Sequence, residues 1–91
     1  MWNVHVPKKI QKASQRLPLL VQEALWLLVK DLREHGPVAG NWPNYSKLSG
    51  NRHHCHIKKG RPTYVSVWWE IRDEKQTIEV TYVGTHENAP Y

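Results

Sequence analysis

An α+β fold, with two helices packed on one face of an antiparallel sheet, is predicted for this 91-residue chain by three observations. The segment "WNVHV" alternates apolar Trp2, Val4 and Val6 with polar Asn3 and His5, the period of a half-buried strand. Residues 7–35 carry apolar side chains at helical spacing, interrupted at Pro18. Residues 52–84 then alternate with period two in three runs, joined by the turns "KGRP" and "DEKQ", and turns this short make successive strands antiparallel neighbours. The predicted order is an N-terminal strand, a two-helix hairpin and a three-stranded antiparallel meander, in one domain spanning residues 1–91.

Each element has a local cause. Pro7 suits the first position of a helix, and "PKKIQKASQRL" sets Ile10, Ala13, Ser14 and Leu17 on one face with Lys8, Lys9, Lys12 and Arg16 around the rest. "PLLVQEALWLLVKDLREHG" continues as a longer helix that Gly36 and Pro37 end. Its expected buried arc holds Leu20, Val21, Ala24, Leu25, Leu27, Leu28, Val29 and Leu32. Leu19 and Trp26 fall on the polar side, so either the first helix folds back over them, the preferred reading, or they form a partner-binding groove. Residues 37–51 have Gly, Pro, Asn and Ser throughout and no period, which reads as a long loop whose Trp42 and Tyr45 contact a surface ligand or tuck the loop onto the domain.

Strands are expected over 52–59, 63–72 and 77–84, and alternation assigns their faces. His53, Cys55 and Ile57 face the core, as do Thr63, Val65, Val67, Trp69 and Ile71, and Ile78, Val80 and Tyr82. Two helices cover one face only, which leaves His54, His56, Lys58, Tyr64 and Trp68 together on an open face. Cys55 is then a small core hydrophobe rather than a nucleophile.

Composition narrows the function. A single cysteine excludes an intrachain disulfide framework and any cysteine-only zinc site. No signal peptide opens the chain and its longest apolar run is too short for a bilayer, so a cytoplasmic protein without a membrane partner is expected. A net charge of +5 favours a polyanionic partner, and five tryptophans with four tyrosines supply rings that can stack on bases or fill a small core.

In "NRHHCHIKKGR" the imidazoles of His54 and His56 share a face, and His86 lies just beyond the last strand. The three make a conceivable zinc set, but Lys58, Lys59 and Arg61 would repel a dication and no carboxylate is at hand to orient the rings, so neither a metal nor any other cofactor is expected. Two imidazoles beside fixed cations suit phosphodiester transfer on RNA instead, because the 2'-OH is a built-in nucleophile. One histidine removes its proton, another protonates the leaving 5'-oxygen, and the cations stabilise the phosphorane.

The element order, with "HCHIKKGRPTYV" and a terminal "YVGTHENAPY", resembles the RelE/ParE superfamily of bacterial toxin–antitoxin toxins over essentially the whole chain. The likeness is greatest to the YafQ-like branch, with its "CHI" strand and a "GTH" segment before an aromatic C-terminus. Lys59, Gly60 and Arg61 depart from that branch, which has an acidic residue there. The resemblance implies a ribosome-dependent, metal-independent mRNA interferase in which His56 and His86 are base and acid, in either order. It also implies that Tyr91 stacks on or orients a base and that Arg61 steadies the phosphate. His54, Lys58, Lys59, Tyr64 and Trp68 are the expected RNA-binding residues. Its further implication is a cognate antitoxin with an acidic segment, for which Lys8, Lys9, Lys12 and Arg16 are candidate contacts, equally suited to ribosomal RNA. The ParE side of the superfamily implies a different activity, inhibition of DNA gyrase, and a non-catalytic RNA-binding module is the third reading.

Overall fold

The computed structural model describes all 91 residues. Strand β1 (Asn3–His5) leads into α1 (Lys8–Gln15) and α2 (Leu19–His35), followed by β2 (Ser46–Lys47), β3 (Arg52–Lys58), β4 (Tyr64–Ile71) and β5 (Thr77–Thr85). A 3₁₀ turn over His86–Asn88 follows β5 directly. The sheet order is β1-β5-β4-β3-β2, with β1 parallel to β5 and every other pair antiparallel. Both helices pack on one face of it, as the alternation predicts.

Pro7 and Pro18 sit at the N-caps, one residue before the first helical position, where a fixed φ near −55° leads the chain in and no N–H is lost from the helix. Gly36 closes α2 with φ +94°, and its N–H bonds to Leu32 O. A side chain at this position would strike the Trp2 indole at 2.9 Å, so both conformation and space select glycine.

The core lies between α2 and the sheet. Val21, Leu25, Leu28, Val29 and Leu32 are buried, a single stripe at i, i+4, i+7, i+8 and i+11. The broader arc predicted from the sequence is corrected here: Leu20 is 61 % and Leu27 54 % exposed. Leu19 and Trp26 are exposed too, because the eight-residue α1 packs on β5 and reaches only part of α2.

The predicted facing of β4 is also corrected. Register places His53 opposite Trp68 and Cys55 opposite Ser66, so Tyr64, Ser66 and Trp68 face the helices. Trp68 is fully buried and its indole N–H donates to Pro37 O at 2.9 Å. Val65 and Val67, paired with His56 and His54, lie on the opposite face and are buried there, while Trp69, predicted to point inward, is exposed. The physical reason is that β4 is the central strand of five. Its run "YVSVWW" is apolar on both faces, so alternation alone cannot say which face is inside.

In β5 the register slips between Val80 and Tyr82, where Thr81 is the extra residue and its hydroxyl donates to Val67 O at 3.3 Å. Ile78 and Val80 face the core before this bulge and Val83 after it. Tyr82, predicted to be inward, therefore shares the histidine face with Val67. The loop before β3 is tucked against the domain. Trp42 and Tyr45 pack on the core, and the Trp42 indole donates to Asp31 Oδ2 at 2.8 Å.

Candidate active site

The two histidines that the sequence singles out meet on the face opposite the helices. His56 is held in register with Val65, and its N–H bonds to Pro43 O at 2.8 Å. His86 begins the turn after β5, its N–H bonded to Thr63 O at 2.8 Å at the foot of β4. The ring centroids are 5.4 Å apart, edge to face. Both border a cleft of about 630 Å³ that is completed by Gly60, Arg61, Pro62, Thr63 and Glu87.

Burial, then the charges of His86, His54 and Lys59, hold the His56 ring below the ordinary imidazole value. A neutral His56 and the Arg61 side chain in one lining can give the cleft a base and a fixed cation. Glu87 is a wall residue that alternation does not reveal, since it lies in the turn; its only sequence signal is adjacency to His86.

His54 shares this face but not the cleft. The residue is 9 % exposed, its Nδ1 is 3.0 Å from Ser46 Oγ, and its ring centroid is 4.6 Å from that of Tyr91. Burial lowers its pKa, opposed by hydrogen bonding to the Ser46 backbone and assisted by the His86 charge. Tyr91 is also 6.1 Å from His86, ring to ring, and burial raises its phenol pKa. Gly84 allows a close approach on this face: a Cβ there would lie 2.6 Å from the Tyr82 hydroxyl, which donates to Thr85 O.

The remaining predicted residues separate. Lys58 and Lys59 are exposed and outside the cleft lining, although Lys59 is close enough to depress His56. Tyr64 packs against the core cluster and Trp68 lies within it, so their expected place on an RNA-contacting surface is corrected by the reversed facing of β4. Lys8, Lys9, Lys12 and Arg16 line one shallow groove along α1, on the helix side of the sheet. Cys55 is buried with its thiol pushed up to about 12 by desolvation, which leaves it no thiolate for chemistry. His53 is buried between Tyr45 and Trp68, its Nδ1 2.7 Å from the Tyr45 hydroxyl and its Nε2 without a partner. No helix is long and apolar enough to cross a membrane.

No protein-family model and no curated protein matches the chain. Solved structures do. A mutant of the E. coli toxin RelE in the free state superposes with a TM-score of 0.73 at 22% identity, covering 97% of this chain and 86% of that one. An archaeal RelE–RelB complex from Pyrococcus horikoshii gives 0.71 at 13% identity, covering 97% and 98%. The intact E. coli RelBE toxin–antitoxin complex gives 0.68 at 25% identity, covering 97% and 100%. An α+β chain with two helices on one face of a five-stranded mixed sheet, matched to these structures over nearly its whole length, has the fold of the RelE toxins.

Proposed function

We propose that this protein is the toxin of a toxin–antitoxin pair and acts as a metal-independent endoribonuclease on mRNA at the ribosome. The observation that carries this reading is the meeting of His56 and His86 across one cleft with Arg61 in its wall. His56, neutral at pH 7, removes the 2'-OH proton. The freed oxygen attacks phosphorus, the P–O5' bond breaks, and His86 protonates the departing oxygen. The products are a 2',3'-cyclic phosphate and a 5'-hydroxyl. The nucleophile belongs to the substrate, so no step calls for a metal-activated water. Arg61 stabilises the charge that grows on the phosphorane, and Tyr91 orients a neighbouring base.

Two of the similar structures are complexes of RelE with RelB, which supports an antitoxin as partner of this chain. The α1 groove of Lys8, Lys9, Lys12 and Arg16, with exposed Trp26 on α2, offers charge and apolar area to an acidic segment.

The test is induced expression of wild type, His56→Ala and His86→Ala in a bacterial host, with 5'-hydroxyl message ends mapped. Wild type should arrest growth and leave new in-frame cuts, and each variant should reduce cutting about 10²-fold or more while staying folded. Arrest without cuts, unchanged in both variants, would overturn the nuclease reading in favour of a target such as gyrase.

A further inference from the structure

The cleft chemistry uses two imidazoles of the open face and leaves a third unexplained. His54 lies two residues before His56 on β3 and projects to the same side, yet it is almost wholly buried and lines no part of the cleft. Ser46, its register partner in the two-residue β2, reaches its Nδ1 at 3.0 Å. On its other side the ring meets Tyr91 at 4.6 Å, tilted by 52°. Tyr91 in turn stands edge-on to His86 at 6.1 Å and 83°. The contacts run unbroken from the sheet edge, through Ser46, His54 and Tyr91, to the imidazole assigned as acid.

Tyr91 needs such support. The last backbone hydrogen bond before it joins Ala89 N–H to His86 O at 3.2 Å, and Pro90 and Tyr91 make none. Tyr91 is 46% exposed, and its ring is placed by packing alone. His54 suits this task better than proton transfer, because a ring this buried cannot reach the substrate and burial favours its neutral form.

We propose that Ser46 and His54 form a positioning pair that fixes the Tyr91 ring against His86, and so sets the orientation of the nucleotide entering the cleft. The proposal rests on the nuclease reading above for its consequence, and on geometry alone for its first half.

The experiment combines kinetics with nuclear Overhauser contacts between the Tyr91 and His86 rings in the isolated protein. His54→Ala should abolish the ring contacts and lower kcat/KM by at least about tenfold, with both limbs of the pH profile kept and the acidic limb moved upward only as far as loss of the His54 charge beside His56 dictates. His54→Phe keeps a ring against Tyr91 without a titrating group, and should restore the contacts and most of the loss. Ser46→Ala should fall between. Persistence of the Tyr91–His86 contacts in His54→Ala would overturn the proposal. So would a His54→Phe variant as slow as His54→Ala with one pH limb missing, since His54 would then act through its proton. If wild type cuts no message while the ring contacts still depend on His54, the nuclease reading fails and the positioning pair stands.

Discussion

His56 sits among groups that all disfavour its charge: a partly buried strand position, two further imidazoles and Lys59. A lowered imidazole value means that the ring is neutral, and competent as a base, to a more acidic pH than a free histidine. The acidic limb of cleavage should therefore lie below pH 6.5, the ordinary value for this group. The His86 charge is the largest contribution after burial, so His86→Ala should move the His56 titration upward, towards 6.5, in a pH series of imidazole NMR shifts. A downward or absent movement would show that the two rings do not share the cleft as described. The same residues show how far the site was readable from sequence. His54 and His56 share a face by parity alone, and His86 follows from the length of the last strand. Ser46 and Glu87 were not readable, because one lies in a strand too short to show a period and the other in a turn.

At the level of elements, the helices and the three long strands follow from periodicity because each pairs one buried surface with one solvated surface. The failures fall where that contrast is missing. β4 has neighbours on both edges and apolar side chains on both faces, and only the cross-strand register decides that Trp68 goes inward. In α2 ten apolar residues in seventeen predict a wide buried arc, but α1 is too short to cover it. The two sides of α2 should differ accordingly. Leu28→Ala is expected to cost about 2–5 kcal/mol in urea unfolding, whereas Leu27→Ala should stay within about 0.5 kcal/mol. Equal losses would mean that Leu27 is covered in the folded chain. A Trp68→Ala change should cost about 3–5 kcal/mol through the core, and any effect on cleavage should follow from lost stability rather than a lost base contact.

For the molecule as a whole, three imidazoles on β3 tie stability to pH. His53, His54 and His56 all have native values below 6.5, with burial the first cause in each. The unfolded chain begins to take up protons near pH 6.5, while the native chain resists until its lowered values are reached. Stability is therefore full above that range and is lost as pH falls through it. The urea midpoint should be higher at about pH 7.5 than at about pH 5, and equal midpoints would contradict the burial of these rings. Acidification would then loosen the strand that carries the site as it protonates the base.

The extra residue in β5 has a consequence for how this site can be lost. Thr81 acts as a spacer that resets the count of the strand, so that side chains below it and side chains above it obey opposite rules. Were Thr81 drawn into the ladder as an ordinary rung, everything downstream would change sides: Tyr82 would turn toward the helices, Val83 toward the histidines, and His86 would reach the cleft half a pleat out of step. Excising Thr81, by contrast, would leave Val80 and Tyr82 as consecutive rungs opposite Trp68 and Val67 with their present faces, so the cleft depends on this residue staying outside the ladder and not on its presence.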